Sequence, residues 1–317
     1  MAIDQHMRSP SPPPPIRYLL RSEIDIRKWD ACVSLAGPIY GRSFILDAMT
    51  AGQWDGLVLD DYAAVMPLTW KRKFGINYLC QPSFCAMLGV FCRSGPAPVP
   101  DFLAAIPSRF RFWDIDLQEN NVPLSATAPP LKLTLRKNYF LALDKPYDAI
   151  QKRYRRLARR MLQRAASAQL SIERGADPDL VIDSHRRIYG HLYPNAAPLE
   201  KLSTCAAKAM ETGNAATYLA RRPGGGIAAF YLVFLDDRYV YSVLGGSTAP
   251  GKDTGAFYLL TDAVIRDHCP GNRIFRFEGS DLPGIAFFNE QFGPYPVEYP
   301  HLILNRLPFP INYLKPG

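Results

Sequence analysis

The chain is 317 residues long, 48% hydrophobic and 21% charged, an ordinary globular balance with material for one large or two medium cores. Its 37 basic and 29 acidic residues leave a net charge of +8, which points to an anionic partner without choosing among nucleotides, phosphorylated cofactors and nucleic acid. No stretch approaches the roughly 20 apolar residues of a membrane span, and the N-terminus lacks a signal-peptide pattern, so the protein reads as cytoplasmic.

Met1 to Pro15 carries the run Pro12-Pro13-Pro14-Pro15 and reads as an extended, disordered tail, residues 1–15. Ile24 to Ala36 predicts a helix and Ser43 to Thr50 a second. Trp54–Leu59 and Tyr62–Trp70 are β-rich, with Asp60-Asp61 as the turn of a hairpin. Ile76–Gln81 predicts a strand stopped by Pro82, Val99–Ile106 a helix, and Arg111–Leu117 a strand. Asn120 to Pro130, with three prolines, predicts a linker, dividing the chain into halves at 16–130 and 131–317. Leu131–Leu143 resumes β character, and Tyr147–Ala168 predicts one long polar helix. Pro178 opens a helix to Tyr189, and Leu199–Thr212 predicts another. Strands follow at Ala215–Ala220, Ile227–Leu235 and Tyr239–Leu244, the last two joined as a hairpin at Asp236-Asp237. Asp253–Asp267 predicts a helix, Arg273–Glu278 a strand, Pro283–Gln291 a short helix and Val297–Leu304 a closing strand. Helices followed by an Asp-Asp hairpin occur in both halves, which suggests a duplication. The fold class is α/β with mixed sheets.

Chemistry has three candidate locations. From Tyr239 to Leu260 a β-rich strand runs through Gly245-Gly246 into a glycine- and lysine-bearing loop and then an apolar-faced helix. Free N–H groups and the partial positive charge of a helix N-terminus suit a phosphate. Gly251 and Gly255 let backbone approach an anion and Lys252 adds charge; a plain strand–loop–helix capped by Asp253 accounts for the pattern equally well. In Arg276-Phe277-Glu278-Gly279-Ser280, Glu278 closes an apolar strand, where desolvation raises a carboxylate toward a useful base. The competing reading pairs it with an arginine such as Arg276. Seven basic residues between Lys152 and Arg164 place Arg153, Arg156 and Arg160 on one helical stripe, suited to RNA or phosphate, or equally a solvated face.

The histidines make no metal or catalytic pattern, and GxSxG, HExxH, Walker and complete GxGxxG motifs are missing. The six cysteines form no CxxC pair, and Cys80, Cys85 and Cys92 match no common zinc spacing, so no metal is expected.

Several blocks carry a family resemblance. Gly226-Ile227-Ala228-Ala229-Phe230, Tyr241 with Gly245-Gly246-Ser247, the Gly251-to-Leu260 loop and helix, Phe277-Glu278-Gly279-Ser280 and Phe288-to-Gly293 lie in the C-terminal half. Together with Tyr154 to Ala165, they resemble the GNAT superfamily, more closely its FemAB-like and BioF2-like acetyltransferase branch. In the N-terminal half, Trp54-Asp55, Val65 to Leu68, Lys71 to Lys73, Gln81-Pro82 and Leu88 to Phe91 are similar to a bacterial subgroup of that branch. The resemblance implies two GNAT-like halves in tandem, with the active site in the C-terminal half. Lys252 to Phe257 stands where GNAT enzymes carry Arg/Gln-x-x-Gly-x-Gly/Ala, with lysine for the first residue and phenylalanine for the last.

The resemblance further implies an N-acyltransferase that moves an acyl group from acyl-CoA, most simply acetyl-CoA, to a small-molecule or peptide amine. Gly251, Lys252 and Gly255 would meet the donor phosphates, Glu278 would be the base, and Tyr241 would protonate the leaving thiolate. The alternatives are an aminoacyl-tRNA-dependent transferase, with Arg153, Arg156 and Arg160 contacting tRNA, and a non-catalytic binding protein of the same fold.

Overall fold

The computed structural model describes residues 15–121 and 131–314. The tail therefore lies outside the described residues except for Pro15, as does the predicted linker from residue 122 onward.

In chain order the elements begin with β1 (Ile16–Leu19), α1 (Ile26–Ala36), α2 (Ser43–Thr50), β2 (Trp54–Leu59), β3 (Ala64–Lys73), β4 (Ile76–Cys80), β5 (Phe91–Cys92), α3 (Val99–Ala104) and β6 (Phe110–Asp116). The second half runs β7 (Leu131–Ala142), α4 (Tyr147–Gln151), α5 (Arg156–Ser167), β8 (Ser171–Arg174), α6 (Pro178–Tyr189), α7 (Ala197–Glu211), β9 (Ala215–Arg221), β10 (Ile227–Leu235) and β11 (Tyr239–Ser247). It ends with α8 (Ala249–Thr254), α9 (Ala256–His268), β12 (Ile274–Arg276), α10 (Pro283–Asn289), β13 (Tyr295–Asn305) and α11 (Ile311–Leu314).

Local chemistry explains many boundaries. The Asp25 carboxylate caps α1 by accepting from the N–H groups of Arg27 and Lys28. Asp177 caps α6, with Pro178 in its first turn. Asp236 turns the β10–β11 hairpin by accepting from the N–H groups of Arg238 and Tyr239, at 2.8 and 2.7 Å.

The strands form one mixed, mainly antiparallel sheet in the order β1-β2-β3-β4-β6-β13-β7-β12-β11-β10-β9-β8, with β5 on β3. The fold class is thus the expected α/β with mixed strands. The two halves share a single sheet, because β13, last in sequence, lies between β6 and β7 and pairs antiparallel with both. Among the described strands, the β4–β6 and β11–β12 pairs alone run parallel.

Side chains alternate across the sheet as the pleat requires. Along β10, Phe230, Leu232 and Phe234 point to one core while Ala229, Tyr231 and Val233 point to another. The first core joins the halves, packing Trp29, Tyr40 and Leu46 with Leu202, Cys205 and Tyr241. The second lies under α5 and α9, and the third under α3.

Two predicted helices are broken. Residues 152–155 interrupt the first between α4 and α5: Tyr154 is buried with its ring 5.1 Å from Phe292, and the Arg155 N–H donates to the Gln291 carbonyl at 2.8 Å. Gly255, left-handed at φ 75°, separates α8 from α9. Three short strands, β1, β5 and β8, carry too little pattern to have been predicted.

Candidate active site at the parting of two strands

β11 and β12 pair over three positions, Tyr239–Ile274, Val240–Phe275 and Tyr241–Arg276. β12 then stops while β11 continues to Ser247, so the later residues of β11 lose their neighbour on that side. Glu278 and Gly279 end the pairing: they are left-handed at φ 50° and 63°, and two such residues in succession turn the chain away. For a glutamate this backbone is uncommon, and such strain gathers at functional sites.

Where the strands part, β11 also carries a β-bulge. Leu232 faces Leu244 and Val233 faces Ser242, so Val243 is the extra residue. A bulge bends a strand and re-aims its backbone groups. Sequence reading missed it, since a one-residue insertion in a register leaves no mark in hydrophobic pattern.

Glu278 stands at this parting, with 7% of its surface exposed. Its two oxygens accept from Asn138 Nδ2 at 2.7 Å and from Arg276 Nε at 3.2 Å. Arg276 is fully enclosed and also donates from Nη1 and Nη2 to Glu119 at 3.2 and 3.3 Å. The rings of Phe140 and Tyr239 face its guanidinium at 4.6 and 5.0 Å. Two carboxylates share one cation. Burial pushes the Glu278 carboxyl above the usual glutamate range, Arg276 pulls it back, and Glu119 pushes it up again. The expected pairing with Arg276 is present, and Asn138 and Glu119 are additions from remote parts of the chain.

Tyr241 is fully buried beside this cluster. Its hydroxyl donates to Asp236 and accepts the Ile39 N–H at 3.0 Å, tying β11 to the N-terminal half. Burial, with Asp236 beside it, holds its pKa far above the usual tyrosine value.

Gly251 and Gly255 face protein. A Cβ on Gly251 would lie 1.9 Å from the Ala228 carbonyl oxygen, and one on Gly255 2.6 Å from that of Met161. Both glycines let the α8–α9 turn pack on β10 and α5. Thr248, rather than Asp253, caps α8, its Oγ1 accepting the Gly251 N–H at 3.2 Å. Lys252 is exposed on α8.

The expected stripe of Arg153, Arg156 and Arg160 does not lie on one helix, because the break at 152–155 leaves Arg153 outside α5. Arg156 and Arg160 remain exposed on α5. Arg155 pairs with Glu290 at 2.7 Å, and Arg159 donates to the Lys152 carbonyl at 2.6 Å.

A cavity of about 310 Å³ lies between the halves, lined by Thr50, Gln53, Thr69 and Lys71 on one side and Tyr193 and Lys201 on the other. No carboxylate lines it. The Tyr193 hydroxyl is 3.0 Å from His185 Nε2. Burial holds His185 down to about 4, so its imidazole is neutral near pH 7. Its ring packs on Tyr189, whose own ring occupies the space a Cβ on Gly246 would need. Packed side chains thus connect the cavity wall to β11.

Among the described residues no group of three or more His, Cys, Asp or Glu side chains could hold a metal. The cysteines are free thiols. Among the described residues no helix is long and apolar enough to cross a membrane.

Comparison with known proteins places this geometry in a fold. No family model matches the sequence, and no curated protein matches it. Solved structures do. A crystal structure of FemX superposes with a TM-score of 0.65 at 12% identity, over 94% of this chain and 99% of that one. A conserved protein of unknown function from Bacteroides thetaiotaomicron gives 0.58 at 9% identity, over 92% and 99%. L-PGS from Bacillus licheniformis gives 0.53 at 12%, over 92% and 95%. The chain therefore shares the fold of FemX and L-PGS.

Proposed function

We propose that the protein is an N-acyltransferase that carries an acyl group from a thioester, most simply acetyl-CoA, to an amine. The observation that carries this reading is the placement of Glu278. A buried carboxylate with a raised pKa stands where β11 loses its neighbour, so a base and a strand edge no longer paired by β12 meet at one point.

The residues fit the arm of such a donor better than its phosphates. The edge of β11 beyond Tyr241 offers N–H and C=O groups to an extended amide-bearing chain. Gly251 and Gly255 are filled by the Ala228 and Met161 carbonyls, which leaves Lys252 as the phosphate contact of the original three. When bound, the donor supplies an activated thioester carbonyl. Glu278 takes a proton from the incoming ammonium, and the freed amine attacks that carbonyl. N–H groups around the Val243 bulge steady the oxygen as it gains charge. The carbon–sulfur bond breaks, and the thiolate leaves with the second proton, which the attacking nitrogen sheds as it becomes an amide. Tyr241 enters this reading as the group that passes that proton to sulfur through the pair it forms with Asp236, and as the brace between β11 and Ile39. The cavity with Lys71 and Lys201 suits an acceptor that bears an anionic group besides its amine.

Aminoacyl-tRNA as donor is the second reading, favoured by Arg156 and Arg160 exposed on a helix that contains no acid. Thiol release from acetyl-CoA and longer acyl-CoAs, measured with a panel of amines and beside charged tRNA, separates the two. Acyl transfer that depends on Glu278 supports the proposal. A protein that binds neither donor returns the fold to a non-catalytic role.

A further inference from the structure

The β3–β4 hairpin has an unusual tip. Its sequence is Lys71-Arg72-Lys73-Phe74-Gly75, and Phe74 is 87% exposed in a left-handed backbone at φ 52°. An isolated aromatic ring held out in water gains nothing from folding, and this backbone disfavours a side chain of that size. The Lys73 ammonium lies 5.4 Å from the ring.

Strand register sets this tip among other cationic and apolar residues. β4 starts beside the start of β6, with Asn77 opposite Phe110, and β13 ends there, with Asn305 opposite Phe112. Neighbouring strands are about 4.8 Å apart, so the three share one rim. Arg111 and Arg306 are exposed on it, and Pro308, Phe309 and Ile311 follow directly. Segments 71–77, 107–112 and 306–312 contain no carboxylate. Arg109 is the exception among the rim cations, since it pairs with Asp55 at 3.4 Å.

We infer that this rim docks the protein on the surface of an anionic lipid bilayer. Arginine and lysine would meet lipid phosphates while Phe74 enters the boundary between headgroups and acyl chains, the division of labour that interfacial anchors use. Nucleic acid would match the charge. The exposed run Pro308, Phe309, Ile311, which follows β13 at the same rim, offers apolar surface that a bilayer takes up and a phosphate backbone does not. The same hairpin supplies Lys71 to the cavity wall, so docking would bring the cavity to the lipid surface.

Sedimentation of the full chain with extruded vesicles tests this. Binding is expected to vesicles of phosphatidylcholine with phosphatidylglycerol, not to phosphatidylcholine alone, and to weaken with salt. Arg72→Glu/Lys73→Glu should lower the partition coefficient at least about 25-fold, from about fivefold for each basic residue lost, before the added carboxylates repel the surface. Phe74→Asn suits the left-handed backbone, so its melting temperature should hold or rise while vesicle binding falls; that combination sets docking apart from a structural role. Equal binding to both vesicle types, or binding unmoved by both variants, overturns the inference. So does tighter binding to bulk tRNA than to anionic vesicles, lost in the same variants, which would assign the rim to nucleic acid.

Discussion

Glu278 holds both a catalytic and an energetic argument. As the base, its replacement Glu278→Gln keeps shape and the Asn138 contact but removes proton acceptance. The expected loss in rate is about 10²–10⁴-fold, with donor affinity retained in calorimetry. A variant with the parent's pH–rate profile would reduce Glu278 to a structural ion pair. Stability gives an independent reading. Because the folded-state pKa lies above the ordinary 4.5, this group favours the folded state at low pH. That contribution is lost as pH rises from 4.5 through the raised value. Chemical unfolding of parent and Glu278→Gln at several pH values should show that the parent alone carries this slope. His185 has the opposite sign. Held down to about 4 from 6.5, it contributes stability present above pH 6.5 and lost as pH falls toward 4. The size is on the order of 3 kcal/mol, and His185→Phe should flatten it.

At the scale of elements, the α8–α9 turn gives its glycines a packing role beside the phosphate role expected of them. Glycines before a helix suggested room for a phosphate, yet both face backbone carbonyls. Gly251→Ala should therefore destabilise the fold by about 2–3 kcal/mol or more, read as a shifted denaturation midpoint, whether or not a donor is present. An unchanged midpoint with weakened donor binding would restore the phosphate role. For α5, Arg156→Glu/Arg160→Glu should weaken tRNA binding and flatten its dependence on salt if the second donor reading holds. Indifference to the change leaves α5 a solvated face. The difference between legible and hidden elements is physical. Asp236 turning a hairpin and Pro178 opening a helix act within a few residues, so their signals survive in one sequence. Gly255 breaking a helix against Met161 depends on a meeting that no local pattern encodes, as does Tyr154 diverting residues 152–155 toward Phe292. The candidate site divides in the same way: Glu278 and Arg276 are two residues apart and were visible together, whereas Asn138, Glu119 and the Val243 bulge come from the sheet's assembly.

In the whole molecule, Arg276 binds the halves together. It lies on β12, yet its guanidinium meets Glu119 and the Met87 sulfur from the N-terminal half. Removing one member of a buried ionic group strands the rest, so Arg276→Met should cost about 3–5 kcal/mol. Unfolding should remain a single transition by both far-UV signal and tryptophan fluorescence. Two separated transitions in the parent would show that the halves melt independently.

β13 has a consequence for how the protein is made. It leaves the ribosome after the other described strands, yet it belongs in the middle of the sheet, against both β6 and β7. Until Tyr295 to Asn305 emerge, two inner strands remain as bare edges, the kind of surface on which chains pair wrongly. Synthesis and sheet completion are therefore out of step until residue 305 has emerged. Nascent chains stalled before residue 295 should be held by chaperones and cut readily by protease, and those carried past 305 should resist.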